Sequence, residues 1–344
     1  YMDYRSKLAT LSNRYNPEGI PLTEVHLFSA TEGDVVPYVK RAMSAVEDAY
    51  TKKTKEAGEA TKEHLSRELG SVSFGYQGSV MTDTHIKGAS DIDLLVMCEK
   101  FYDTEIHKVR QELQDPSRYY SYQERSRLSS YAHSFSPYCG NSYDDLASLR
   151  MNIERIMRQT YSECDTSHPK AVKIRNKHLH RDVDIVTASW HHSLDYILAG
   201  QLKENRGIKI YNKDKRYAEG PDFPFLSISR INSRSAETQG RLKRMIRFLK
   251  NVRTDSDYDI PLTSFDINAI CYSIPVRDYI SGDYKELVNV LWQTLHSLSH
   301  DNKANQLKSV VGDEYVFWGK PQKLEALRVL SAEVFNIRTE LQNL

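Results

Sequence analysis

Two carboxylates at the start of an apolar run constrain this chain more than any other feature of its sequence. Asp91 and Asp93 lie one residue apart, and Ile92 and the run Leu94–Met97 around them are apolar. An apolar run of this length is typical of a buried strand, in which residues i and i+2 point to the same face about 6.5 Å apart. The pattern therefore predicts a strand that holds both carboxylates rigidly on one face.

A small turn precedes the acid pair along the chain. Gly78 and Ser79 follow the alternating run 72–77, and eleven residues separate Ser79 from Asp91. Glycine lets the backbone approach a phosphate closely, and the serine hydroxyl can donate to a phosphate oxygen. Two carboxylates on one strand face can converge on divalent ions about 3.5–4 Å apart, and oxygen ligands suit Mg²⁺ or Mn²⁺. The sequence thus predicts a unit that binds phosphate and metal.

This order of motifs resembles the nucleotidyltransferase fold of the DNA polymerase β superfamily. The resemblance implies a third carboxylate on a later strand, between apolar neighbours. Asp184 meets that description, while Asp182 would share its strand face and is a second candidate. We prefer Asp184, because Asp182 suits the turn before the strand. The resemblance then implies that Asp91, Asp93 and Asp184 are catalytic and hold two Mg²⁺ or Mn²⁺ ions.

The C-terminal half carries a second set of motifs. A helix is predicted over 236–252, and a basic stripe runs beside its apolar face. The members of this stripe are Lys243, Arg247 and Lys250. Such a stripe is either a solvated helix face or, in an enzyme that binds triphosphates, a source of phosphate contacts. Thr263 or Ser264 is placed to cap a following helix, whose N-terminus would favour anions.

Together with the turn, these motifs resemble the bacterial cGAS/DncV-like nucleotidyltransferases, whose relatives include animal cGAS and oligoadenylate synthetase. By motif position, the resemblance implies that Lys250 and Ser264 contact the donor triphosphate and that Phe265 stacks on its base. It also assigns the segment of the phosphate turn to the nucleotide-binding residues. These are Gln77, Gly78 and Ser79.

The resemblance implies an α+β fold, with a polymerase β-like core on a mixed sheet and a C-terminal helical domain. The core is predicted over 1–215, and residues 216–344 are predicted to complete the nucleotide pocket. Helical periodicity over about 33–69 predicts a long N-terminal spine helix. Two helices, near 104–114 and 143–160, are predicted in a helical insertion, and the tyrosine-rich stretch between them is a candidate lid.

The implied activity is Mg²⁺-dependent joining of NTPs such as ATP and GTP into a cyclic di- or oligonucleotide second messenger, with release of pyrophosphate. The resemblance places this activity in antiphage defence. The alternative is transfer to another acceptor, such as an RNA 3′ end or an antibiotic, which the acidic residues alone do not exclude. The expected partners are the NTP substrates and a regulatory protein, or a downstream effector that binds the product.

Composition narrows the setting in which this chemistry would occur. The chain has 47 basic and 46 acidic residues, so a strongly basic nucleic-acid-binding surface is not expected. Its four cysteines are widely spaced and lack the spacing of a zinc site. No apolar stretch approaches 18 residues. We therefore expect a cytoplasmic protein with reduced thiols and no membrane partner.

Overall fold

The computed structural model describes residues 4–15, 34–88, 91–279, 282–300 and 303–344. The chain divides into two compact units. The sheet unit comprises Asp48–Met81 and Asp91–Ser229, and the helical unit comprises Tyr1–Glu47, Thr82–Ser90 and Arg230–Leu344. The helical unit therefore includes Tyr1–Glu47 and the segment Thr82–Ser90, which we call the connector. The sequence-based division assigned both segments to the core. None of the described helices is both long and apolar enough to cross a lipid bilayer.

The sheet unit is built on a mixed sheet of seven strands. The strands are β1 (Val72–Gln77), β2 (Ile92–Thr104), β3 (Cys164–Asp165), β4 (Ala171–Asn176), β5 (Arg181–His192), β6 (Gly207–Asn212) and β7 (Tyr217–Asp222). Five of them follow the order β1-β2-β5-β4-β3, while β6 pairs with β5 and β7 pairs with β6. β2 and β5 are parallel, and the other pairs are antiparallel. The predicted α+β class with a mixed sheet is confirmed.

Helices account for most of the remaining described residues. They are α1 (Tyr4–Tyr15), α2 (Val35–Met43), α3 (Asp48–Glu68), α4 (Ile106–Gln114), α5 (Tyr122–Ser134), α6 (Ser142–Thr160), α7 (Leu194–Leu198), α8 (Pro224–Glu237), α9 (Arg241–Asp255), α10 (Ser264–Tyr272), α11 (Tyr284–His300) and α12 (Pro321–Gln342). In the helical unit, α9 contacts α1, α2, α10, α11 and α12, so its apolar stripe forms the centre of that unit.

The central strands are apolar because both faces of the sheet are covered. On one face, Leu94 and Val96 of β2 belong to a buried cluster that includes Ile153 and Met157 of α6. On the other face, Leu95 packs in a second cluster with residues of β5 and β6. Residues of one parity therefore face α3 and α6, and residues of the other parity face away from them. Asp93 has the parity of Leu95, so it lies on the face opposite to α3 and α6.

The predicted spine helix is wrong as a single element. The structure has two helices, α2 and α3, with a break at 44–47. Ser44 adopts an extended conformation, with φ −66° and ψ 149°, and its hydroxyl donates to the Lys40 carbonyl at 2.8 Å. Val46 is buried although it is not helical. The helical spacing of apolar residues therefore continues through the break, and the break cannot be detected from the sequence pattern. Gly33, the predicted start, lies outside the described residues.

Both helices predicted in the insertion are present, as α4 and α6. The stretch between them, the candidate lid, contains helix α5. Ser121 and Glu124 make a reciprocal capping box at its start, and Leu128 and Tyr131 are its buried residues. Two buried side chains are too few to give a detectable helical periodicity of apolar residues. The Ser-x-x-Glu capping signature is the signal that could have revealed this helix.

Candidate active site

The Gly78 turn lies directly against the second carboxylate of the acid pair. Gln77, the last residue of β1, pairs with Asp93 of β2. Gly78 then takes a left-handed conformation with φ +87°, and a Cβ built on it would lie 2.5 Å from Asp93 Oδ2. Glycine is required here both for its backbone conformation and for the space that the carboxylate occupies.

The pairing of β2 with β5 brings the predicted acids together. Asp93 and Asp184 are register partners on these adjacent parallel strands, so their side chains share one face at about the 4.8 Å spacing of neighbouring strands. Asp91 comes one residue before β2 begins. We call Asp91, Asp93 and Asp184 the acid cluster.

Burial and, to a smaller degree, mutual repulsion raise the pKa values in the acid cluster. Burial raises the pKa of Asp93 to about 7, and the charges of Asp184 and Asp91 contribute to that rise. Partial burial also raises the pKa of Asp91, with Asp184 and Asp182 adding to the effect, although the Asp91 side chain is more exposed than that of Asp93. Without added cations the cluster therefore retains a proton near neutral pH.

A lysine that the sequence did not indicate lies on the cluster. Lys173 of β4 is the register partner of Asp184, and its Nζ lies 3.0 Å from Asp184 Oδ2. This contact raises the pKa of Lys173 above its ordinary value. The alternation of basic residues at 173 and 175 was the available signal, but pairing with β5 could not be read from the sequence.

The residues present suit a hard divalent cation. Asp184 Oδ1 is buried and has no hydrogen-bond partner, and the cluster offers only carboxylate oxygens, which Mg²⁺ and Mn²⁺ prefer. Within the described ranges, no group of three or more His, Cys, Asp or Glu side chains is arranged to hold a metal ion by itself. Mg²⁺ commonly combines one or two carboxylates with substrate phosphates and waters, and an open cluster is compatible with that mode.

Asp182, the second candidate for the third carboxylate, has a different environment. Arg175 Nη1 lies 3.0 Å from each of its two oxygens, and both side chains are 43% exposed. Asp182 therefore takes part in an ion pair at the surface, next to the acid cluster on the same strand. Its register partner on β4 is Arg175.

In the helical unit, Arg247 and Lys250 of the basic stripe on α9 are buried, so for these two residues the solvated-face alternative is wrong. Lys250 is 1% exposed, and its Nζ donates to the Thr84 carbonyl at 3.0 Å. Arg247 donates to the carbonyls of Met43 and Asp83. Burial lowers the pKa of Lys250 to about 7, and the charge of Arg253 adds to this. Arg247 and Lys250 thus bind carbonyls of the connector and of the end of α2.

The remaining predicted nucleotide-binding residues lie at the start of α10, also in the helical unit. Thr263 is the N-cap and forms a capping box with Asp266, so the first of the two predicted caps is correct. Ser264 is exposed and Phe265 is partly buried in the first turn. Both are therefore accessible, at least in part, on the helical unit.

Comparison with known proteins identifies the family. The C-terminal helical domain of cGAS/DncV-like nucleotidyltransferases matches residues 229–336. A c-di-GMP synthase from a Lachnospiraceae bacterium (strain RUG226) is 63% identical over 342 residues, covering 98% of this chain and 99% of that protein. This chain belongs to the cGAS/DncV-like nucleotidyltransferase family. The resemblance and the enzyme class that were predicted from the motifs are both confirmed.

Two solved relatives of this cGAS/DncV-like nucleotidyltransferase agree with it in fold. The STING-associated CdnE c-di-GMP synthase of Capnocytophaga granulosa is 41% identical with a TM-score of 0.80. The STING-associated CdnE c-di-GMP synthase of a Flavobacteriaceae species is 34% identical with a TM-score of 0.87. Each comparison covers 99% of both chains. The activity of these relatives agrees with the predicted cyclic product.

Replacing Gly78 with alanine should impair catalysis through Asp93. The new Cβ would force the carboxylate or the turn to move, and misplacement of about 1 Å at a reacting centre can cost on the order of 100-fold in rate. We expect pyrophosphate release to fall at least about 10-fold, with a stability loss of about 1–3 kcal/mol. Gly70→Ala is the matched control, since nothing lies within 4 Å of its Cβ position. Equal activity of the two variants would contradict the positioning role.

The raised pKa of Asp93 predicts that stability depends on pH when divalent cations are absent. Between its ordinary pKa of 3.8 and about 7, the folded protein binds a proton that the unfolded chain releases. The free energy of unfolding should therefore decrease as pH rises through this range, by about 4 kcal/mol.

Asp93→Asn should flatten this decline, as measured by urea unfolding in EDTA at pH 5 and pH 7.5. Saturating Mg²⁺ should also reduce the decline in the unsubstituted protein, because the cation replaces the proton. Parallel pH profiles for the protein and the variant would contradict the assignment to Asp93.

Proposed function

We propose that this enzyme joins two GTP molecules into cyclic di-GMP and releases two pyrophosphates in a reaction that requires a divalent metal. The observation that carries the proposal is the 63% identity to a c-di-GMP synthase along nearly the full length of both chains. The register pairing of Asp93 with Asp184 supports the same reaction, because phosphoryl transfer needs oxygen ligands held side by side.

In this proposal, the acid cluster holds two Mg²⁺ or Mn²⁺ ions. When bound, such ions stabilise the charge on the transferring phosphoryl group and make the attacking ribose hydroxyl more acidic. The chain itself supplies rigidity, since Asp93 and Asp184 project from paired strands, and Gly78 packs against Asp93. Asp184 is proposed to orient the attacking hydroxyl, because one of its oxygens has no hydrogen-bond partner among the described residues.

The phosphate and base contacts are also part of the proposal. Gly78 and Ser79, at the end of β1, would bind phosphate oxygens through the backbone and the hydroxyl, with Gln77 completing the turn. The motif positions of Ser264 and Phe265 support contacts to the triphosphate and the base. Lys250 is buried and donates to the Thr84 carbonyl, so a contact with the triphosphate requires its ammonium to become accessible.

The proposed biological role follows from the solved relatives. The Capnocytophaga and Flavobacteriaceae synthases are STING-associated. We therefore propose that the product is a second messenger in antiphage defence, read by a downstream effector that binds cyclic di-GMP. This effector is the partner that we expect for the present enzyme.

The product test is incubation of the protein with all four NTPs and Mg²⁺ or Mn²⁺, followed by phosphatase treatment and mass analysis. We expect a phosphatase-resistant product with the mass of cyclic di-GMP and no requirement for ATP, CTP or UTP. The Asp91→Asn, Asp93→Asn double variant should form none, because it lacks two of the three carboxylates. A different cyclic nucleotide, or turnover in the double variant, would contradict the proposal.

The choice of third carboxylate has its own test. Asp184→Asn should lower pyrophosphate release by at least about 100-fold, since it removes a proposed ligand of the reacting centre. Asp182→Asn, two residues away on the same strand, should stay within about 3-fold of the unsubstituted enzyme. Loss of turnover in the Asp182 variant with activity retained in the Asp184 variant would reverse the assignment.

A further inference from the structure

Two basic side chains of β4 lie against two carboxylates of β5. Lys173 is the register partner of Asp184, and Arg175 is the register partner of Asp182. Each cation forms an ion pair with its partner at 3.0 Å. Asp184 belongs to the acid cluster, and Asp182 does not. The two ion pairs share the same cross-strand register and distance, but only one of them involves a residue of the cluster.

The Lys173 pair joins a mobile cation to a fixed anion. The Lys173 side chain is 41% exposed, whereas that of Asp184 is 17% exposed. A lysine ammonium on a flexible four-carbon stem can change partners by rotation of its side chain. Asp184 lies on a central strand between β2 and β4 and cannot withdraw. Separation of the pair therefore requires movement of the lysine.

The two oxygens of Asp184 are used differently. Oδ2 contacts Lys173 Nζ, while Oδ1 is buried without a partner. A divalent cation on this carboxylate would lie within a few ångströms of the ammonium whichever oxygen it used. Two positive charges at that distance repel each other, so occupation of Asp184 by a metal ion and by Lys173 is mutually unfavourable.

We propose that Lys173 is a built-in counter-ion that occupies Asp184 until divalent metal replaces it, and that its ammonium then binds a phosphate oxygen of the bound nucleotide. Before loading, Lys173 offsets the repulsion among the three carboxylates. After loading, it is a cation without its partner beside the reacting centre, and a phosphate is the anion that arrives there. The second step rests on the proposed nucleotidyl transfer, whereas the competition with metal does not.

Metal binding in the absence of nucleotide tests the first step. Mn²⁺ affinity would be measured by electron paramagnetic resonance for the unsubstituted protein and for Lys173→Met, Lys173→Arg and Arg175→Met. Lys173→Met should bind Mn²⁺ about 10-fold more tightly, because a charge within a few ångströms of a divalent ion is removed. Lys173→Arg keeps the charge and should stay within about 3-fold of the unsubstituted protein.

Arg175→Met is the matched control, since it removes a cation from the same face of the same strand. Its Mn²⁺ affinity should change by no more than about 3-fold. Equal affinities for Lys173→Met and the unsubstituted protein would overturn the counter-ion role. Equal tightening in both methionine variants would also overturn it, because the effect would then reflect general surface charge. Urea unfolding of each variant in EDTA checks that the fold is retained.

Steady-state kinetics test the second step. If Lys173 binds phosphate after loading, Lys173→Met should raise the KM for GTP about 10-fold at saturating Mg²⁺, and Lys173→Arg should restore most of it. An unchanged KM together with tighter Mn²⁺ binding would overturn the phosphate contact and keep the counter-ion role. Absence of cyclic di-GMP from the unsubstituted enzyme would instead contradict the proposed function, while the Mn²⁺ comparison would still test Lys173.

Discussion

The parallel pairing of β2 with β5 is the constraint on which the site depends. It sets Asp93 beside Asp184 at one position of the register, although 90 residues separate them in the sequence. The pairing is stable because the strands are apolar on both faces and are covered on both. A shift of one residue would turn every side chain of β2 to the other face. The same packing that stabilises the sheet therefore determines which carboxylates meet.

Grouping carboxylates on a rigid strand pair has an energetic cost, and the surrounding residues offset it. Gly78 leaves room for Asp93 by having no side chain, the raised pKa of Asp93 favours its neutral form, and Lys173 pairs with Asp184. In the proposed reaction, divalent cations and phosphate replace the proton and Lys173 as the charge partners at this site.

The sequence predicted the parts of the site that are local in the chain. Asp91, Asp93 and the Gly78 turn follow from spacing alone, and Asp184 followed once the resemblance required a later strand acid. Lys173 was missed because its role depends on which strand lies next to β5, and a single sequence does not show strand order. Lys250 was predicted to contact phosphate or solvent, yet it is buried and donates to the Thr84 carbonyl. A row of basic residues on a helix does not show which segment packs against it.

Two details of the fold were missed for similar reasons. The break at 44–47 was hidden because a buried Val46 keeps the apolar spacing of a helix without being in one. Helix α5 was missed because it buries few apolar side chains, although Ser121 and Glu124 form a capping-box signature at its start. The α+β class was predicted correctly, because the motifs resembled those of a known family and the resemblance implied its fold.

The most direct test of the central claim is a crystal structure of the enzyme with Mg²⁺ and a non-hydrolysable GTP analogue. The account predicts two ions bound by Asp91, Asp93 and Asp184, with the Lys173 ammonium moved from Asp184 to a phosphate oxygen. Ions bound through Asp182 in place of Asp184, or Lys173 still paired with Asp184 beside a bound ion, would contradict it.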